Sequence, residues 1–203
     1  MKQNKVTKIK PLVETRYLSL YEAEYENKVG NIRTWTIASR KNNETLQKQF
    51  FENKEDTNDG VIIAAYHKEK KKLVIIRQFR IPLNNYVYEL AAGLIDPGET
   101  AKSTIGRELM EETGLEIIDV IENRGAEKVY ISAGMTDEAL ALVFCTCTGE
   151  ISDENLEEDE CIESLLISQE EAKELIQKRE KFDIKCFLVL QSFALLGEKL
   201  FIE

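Results

Sequence analysis

GLIDPGETAKSTIGRELMEETGL, residues 93–115, crowds Glu99, Glu108, Glu111 and Glu112 with a single arginine, Arg107, around what reads as one short helix. Pro97 and Gly98 mark a turn, Thr100 suits an N-cap and Gly114 a left-handed C-terminal cap, so the helix should run from about Ala101 to Thr113. At about 100° per residue, Ala101, Ile105 and Leu109 form an apolar arc, with Glu112 about 20° from Ile105 and Glu108 about 20° from Ala101. Two carboxylates therefore lie along the margin of the buried face, where an ordinary amphipathic helix would have none. Like charges at this spacing repel, and more strongly as water is removed. Arg107 stands one turn before Glu111 and can pair with it, which leaves Glu108 and Glu112 without a partner in the helix. Hard oxygen donors on one face suit Mg²⁺ or Mn²⁺, which bridge a few carboxylates to substrate phosphates. A merely solvated acidic face is the competing reading.

Working outward, 203 residues with 43% hydrophobic content are enough for one sizeable domain, or one domain with a small appendage. No apolar run approaches the roughly 20 residues that span a bilayer, and the start MKQNKVTKIKPLVE lacks a signal-like apolar core. A soluble cytoplasmic protein without a membrane partner is expected. The net charge of −10 argues against a nucleic-acid partner, because phosphate backbones are held by basic stripes. The one basic cluster, Lys68 to Lys72, reads as a solvated hairpin tip, and the single histidine beside it, His67, as surface. Cys145, Cys147, Cys161 and Cys186 form no CxxC pair and read as buried reduced thiols.

The first 60 residues alternate β-like runs with polar turns; RYLSLYEAEYE and NIRTWTIASRK flank Asn27–Gly30 as an antiparallel hairpin or meander. VIIAAYH and KLVIIRQF are β-branched strands on either side of the lysine turn. NYVYELAAGL leads into the acidic box, and EIIDVIENRG and EALALVFCTCTG follow it. The acid-dense loop ISDENLEEDECIE precedes the strand-like SLLI. Ser168 and Glu171 have capping-box spacing for a helix to about Arg179, and a final helix puts Cys186, Leu190, Phe193 and Leu196 on one packing face. The result is a mixed α/β domain over residues 56–203 with an N-terminal β extension over 1–55.

The spacing Gly93-x5-Glu99-x7-Arg107-Glu108-Leu109-x-Glu111-Glu112-x-Gly114-Leu115 resembles the complete signature of the Nudix hydrolases. The resemblance implies an α/β/α sandwich with a mixed sheet. It also implies a loop-helix-loop that binds divalent metal, Mg²⁺ or Mn²⁺, and the pyrophosphate of a nucleoside diphosphate linked to another group. By position, Glu108 and Glu112 become the main metal ligands, Glu111 a further ligand or the partner of Arg107, and Glu99 a supporting acid. IIRQFRIPLNNYVYELAAGLIDPGE is similar to the ADP-ribose and nucleotide-sugar pyrophosphatases, which implies that Glu89 and Arg77 face the substrate and that the Ala92 carbonyl joins the metal shell. Arg77 and Arg80 are expected to share a strand face as an anion clamp.

RTWTIASRK resembles the N-terminal strand of the same enzymes, so Trp35 is a candidate adenine platform across a homodimer interface, with Arg40 and Gly134 also at the substrate. A core tryptophan is the alternative. The general base should be an acid of NLEEDECIE, with Glu158 and Glu160 ahead of Glu157. Ala91, Ala133 and Thr36 depart from the pattern of this branch, which bears on substrate choice and not on metal chemistry. The expected activity is hydrolysis of ADP-ribose, or a close nucleoside diphosphate sugar, to a nucleoside monophosphate and a sugar phosphate. The alternatives are a UDP-hexose, GDP-mannose or triphosphate substrate, or a nucleotide-binding module without turnover.

Overall fold

The computed structural model describes residues 3–202, which fall into two compact units: the chain up to Asp59 together with Val129–Leu140, and Gly60–Lys128 with the chain from Ala141 onward. In the first unit β1 (Lys5–Val13), β2 (Ser19–Glu26) and β3 (Ile32–Ser39) form an antiparallel sheet in sequence order. Strand alternation sends Tyr21 and Ala23 inward, where they join Ile9 and Leu46 in a small core. Leu46 belongs to α1 (Asn43–Phe51), whose N-cap Asn42 accepts from the Thr45 N–H at 2.9 Å. Neither β1 nor α1 stands out in the sequence, for a physical reason: β1 is rich in lysine and fully buries only Ile9, and α1 fully buries only Leu46.

The second unit holds most of an eight-stranded sheet of core order β11-β5-β4-β10-β8, with β6 on β5, β7 on β4 and β9 on β10. Its strands are β4 (Gly60–His67), β5 (Lys72–Arg80), β6 (Asn85–Glu89), β7 (Ala91–Leu94), β8 (Glu116–Val120), β9 (Ala126–Tyr130), β10 (Ala139–Thr148) and β11 (Ile162–Ile167). Three helices join it: α2 (Ala101–Thr113), α3 (Gln169–Gln177) and α4 (Ile184–Leu196). Alternation along β4 gives the sheet two buried faces. Val61, Ile63 and Ala65 pack with Val74 against Ile105 and Leu109 of α2, while Tyr66 turns the other way onto Phe193 of α4 and Phe201. This is the α/β/α layering expected of the domain.

NYVYELAAGL reads as one strand but is two, because the chain changes neighbours at Leu90: β6 pairs with β5, and β7 with β4. That switch pairs Glu89 with Ile76 in the middle of β5, from where its carboxylate meets Arg80 at the strand end, and sets Ala92 and Gly93 beneath α2.

Three local expectations are corrected. His67 is fully buried, its Nε2 2.9 Å from the Gly149 carbonyl and its Nδ1 accepting from the Lys70 N–H, because the hairpin folds inward onto a distant loop. Cys161 is exposed, unlike the other three cysteines. Leu196 is exposed at the end of α4 while Cys186, Leu190 and Phe193 are buried. The expected capping box at Ser168 and Glu171 opens α3, which ends at Gln177, within two residues of the expected Arg179. Among the described residues no helix is long and apolar enough to cross a membrane.

Candidate active site

α2 begins at the predicted cap. Thr100 accepts from the Ser103 N–H and Ser103 answers the Thr100 N–H, while Gly114 closes the helix at φ 73°. Gly114 has no substitute there, because a Cβ would lie 2.7 Å from the Ser152 backbone nitrogen. Glu108 and Glu112 are buried with Ile105 and Leu109, as the helical arc requires.

Arg107 organises the acids on the outer side of this face. Its Nε and Nη2 donate to the two oxygens of Glu99 at 3.0 and 2.9 Å, its Nη1 to Glu111 at 2.8 Å and Glu108 at 2.9 Å, and its Nη2 also to the Leu94 carbonyl at 3.1 Å. The sequence shows only the Arg107–Glu111 pair, so Glu108 is better compensated than its helix spacing suggests. The Glu99 loop folds back over the helix, and helix geometry alone does not reveal that. The Arg107 guanidinium, helped by the Thr104 hydroxyl, holds the Glu99 carboxyl down at about 2.

Glu112 sits differently. It is 4% exposed, forms no ion pair among the described residues, and accepts from the Ala92 N–H at 3.0 Å. Burial first, and then the charges of Glu108 and Glu160, push its carboxyl up to about 8 against that hydrogen bond and the Arg80 charge. Glu108 is likewise raised by burial, with Arg107 opposing. Its carboxyl group lies against Gly93, where an added Cβ would fall 1.8 Å from the carboxyl carbon. Gly93→Ala is therefore expected to displace the Glu108 side chain while the backbone stays in place. A loss of the Mg²⁺-induced rise in melting temperature, with the metal-free Tm close to wild type, would show this.

The acidic loop contributes Glu160, the loop acid whose charge weighs on both Glu108 and Glu112. Its carboxylate accepts from the Glu157 N–H at 3.0 Å, whereas Glu158 is exposed. Ser164, unnoticed in the sequence, ties β11 to the helix by donating to the Glu112 carbonyl at 2.6 Å.

Arg77 and Arg80 do not share a face. They are three residues apart on a strand of period two, so they point to opposite sides of the sheet. Arg80 makes a two-pronged pair with Glu89 at 2.6 and 2.9 Å and feels the charge of Glu112. Arg77 lies over the Tyr86 ring at 4.4 Å and pairs with Glu163 at 3.3 Å. The side chains gathered on the α2 face are therefore Arg80, Glu89, Glu99, Arg107, Glu108, Glu111, Glu112 and Glu160, with the Ala92 backbone and without Arg77.

Within the first unit, Trp35 is 54% exposed and is no core residue. Its indole N–H donates to the Gly134 carbonyl at 3.1 Å, and its ring lines a cavity of about 270 Å³ with Phe50, Tyr130 and Met135. Arg40 pairs with Glu138 at 2.6 Å. Lys41, missed in the sequence, is buried among Asp56, Asp59 and Asp137 at 3.1–3.3 Å.

Among the described residues no three acidic, histidine or cysteine side chains converge as a ready-made metal cluster. The donor set nevertheless fits a hard divalent cation. Two neighbouring carboxylates, one of them with no ion pair, are held in a buried setting that disfavours their charge, and such ions complete their shell with water and phosphate oxygens. The sign of the linkage follows from Glu112. A carboxyl raised from 4.5 to about 8 contributes stability that is full below 4.5 and is lost as the pH rises through 8. Metal-free protein should lose stability across that window, and Mg²⁺ should raise Tm more at pH 8 than at pH 5, because binding releases the proton. Differential scanning calorimetry at both pH values checks this.

Comparison with known proteins bears on the fold and the family. A crystal structure described as an ADP compounds hydrolase superposes with a TM-score of 0.69 over 97% of each chain, at 18% identity, and so shares the fold. ADP-ribose pyrophosphatase of Bacillus subtilis is 29% identical over 133 residues, 65% of this chain and 70% of its own length. GDP-mannose pyrophosphatase of Cronobacter sakazakii is 32% identical over 153 residues, 70% of this chain and 76% of its own. The NUDIX domain profile matches residues 56–187. With that match covering more than half of its length, and with the full signature on the loop-helix-loop at Gly93–Leu115, the chain belongs to the Nudix family.

Proposed function

We propose that the protein hydrolyses the pyrophosphate of ADP-ribose, or of a closely related nucleoside diphosphate sugar, to a nucleoside monophosphate and a sugar phosphate, with Mg²⁺ or Mn²⁺ as cofactor. The observation that carries this is the buried pair Glu108 and Glu112 on the apolar margin of α2, with Arg80 and Glu160 on the same face. The names of the two relatives, an ADP-ribose and a GDP-mannose pyrophosphatase, favour a diphosphate sugar over a triphosphate. A divalent cation held by Glu108 and Glu112, with Glu111 and the Ala92 carbonyl as further donors, would neutralise the diphosphate and polarise its P–O bonds.

The remaining roles fall to the chain itself. Arg80, braced by Glu89, reaches a phosphate oxygen. Arg107 and Glu99 act on the other acids by holding Glu108 and Glu111 in place. Glu160 takes a proton from the attacking water. The water oxygen bonds to phosphorus, the bridging P–O bond breaks, and its electron pair leaves on the departing phosphate. Glu158 is the second candidate for the base. Trp35 offers a half-exposed ring for base stacking, worth about 1–3 kcal/mol, with Arg40 and Gly134 beside it in a homodimeric, cytoplasmic enzyme. The division into a β extension over 1–55 and a Nudix domain from 56 remains part of this reading. No nucleic-acid or membrane partner belongs to it.

A product-resolved panel over ADP-ribose, GDP-mannose, UDP-glucose, dinucleotides and triphosphates with Mg²⁺ tests the assignment. Diphosphate sugars should be cleaved fastest, to monophosphate and sugar phosphate. Preference for a triphosphate, or binding without turnover, would overturn it.

A further inference from the structure

One buried polar atom on the α2 face is left without a partner. Gln78 is 9% exposed, and its Oε1 is buried with no hydrogen bond. It lies on β5 two residues before Arg80 and four after Val74, which packs with Ile105 and Leu109, so alternation turns it toward α2 and the site. Across the sheet it stands opposite Ile162, and the bond from the Phe79 N–H to the Cys161 carbonyl at 3.1 Å carries the pairing on, bringing Glu160 abreast of Arg80. Arg80 with Glu89 lies on one side of Gln78, and Ser164, bonded to the Glu112 carbonyl, on the other.

An orphaned buried acceptor is destabilising, so it calls for a donor that arrives with the reaction. The diphosphate cannot supply one, because its oxygens are themselves acceptors. Water can, and under the reading above a water must stand beside Glu160.

We propose that Gln78 holds the attacking water, its Oε1 accepting one hydrogen while Glu160 takes the other as a proton, so that the free lone pair faces phosphorus. The step balances as before: the O–P bond forms, the bridging P–O bond breaks, the electron pair leaves with the departing phosphate, and the proton rests on Glu160. The inference rests on the hydrolase reading.

The test is Gln78→Leu, assayed on ADP-ribose and GDP-mannose with Mg²⁺ beside wild type, with Tm measured in parallel. Loss of one orienting hydrogen bond should lower kcat about tenfold or more on both substrates, with KM within about twofold. Tm should be unchanged or higher, since a buried acceptor without a partner has been removed. Should leucine fail to fold, Gln78→Met supplies the same loss on an unbranched side chain. Unchanged kcat overturns the proposal, as does a rise in KM confined to one sugar, which would place a sugar hydroxyl at Oε1. Wild type inert toward every substrate overturns the hydrolase reading and this proposal together, whereas active wild type with an unaltered variant overturns the proposal alone.

Discussion

Replacing Glu112 with glutamine is expected to lower turnover about 10³-fold or more. A carboxylate that fixes a divalent cation commands several kcal/mol of transition-state stabilisation, and each 1.4 kcal/mol is tenfold. The fold should survive the change. Glutamine has the same shape, and its oxygen can still accept from the Ala92 N–H that now meets Glu112 at 3.0 Å. It also removes a carboxyl that burial has pushed up to about 8, so the metal-free variant should be the more stable protein at alkaline pH. Steady-state kinetics across a Mg²⁺ titration, paired with thermal melts, separates the two effects. Wild-type turnover of the variant at limiting Mg²⁺ would remove Glu112 from the metal site.

Glu160→Gln should cost about 10²–10⁴-fold in kcat, the range of a positioned general base, with little change in KM. The same change at Glu158 should cost about twofold or less. The reason for separating two acids so near in sequence is environment: Glu160 is half-buried and its charge reaches Glu108 and Glu112, while Glu158 is exposed. If Glu160 is the base, its variant should keep the wild-type Tm and the Mg²⁺-induced rise in Tm while losing kcat, a combination that a loop defect would not give. Equal losses at both positions would assign the base elsewhere.

What was legible in the sequence was what is local in the chain. The caps of α2 and the burial of Glu108 and Glu112 follow from turn residues and a 100° step, and the structure has both. The failures are of two kinds. Placing Arg77 and Arg80 on one face overlooks that three residues on a strand make an odd step; the same period-two rule selects Gln78 with Arg80. The other failures depend on residues far apart in sequence. His67 looks like part of a charged turn until Gly149 is brought to it, Lys41 is isolated until Asp137 arrives, and the change of strand partners at Leu90 has no glycine or proline between Val87 and Ala92 to mark it. Burial of a polar side chain is decided by its distant partners, and one sequence does not list them.

The central claim is that Glu108 and Glu112 bind a divalent ion for cleavage of a nucleoside diphosphate sugar. It is tested most directly by incubating wild-type and Glu112→Gln protein with ADP-ribose, with and without Mg²⁺, and resolving the phosphorylated products. The expected result is AMP and ribose 5-phosphate in equal amounts from wild type with Mg²⁺, and close to none from wild type without metal or from the variant. Equal product from the variant, or from wild type stripped of metal, would contradict the account.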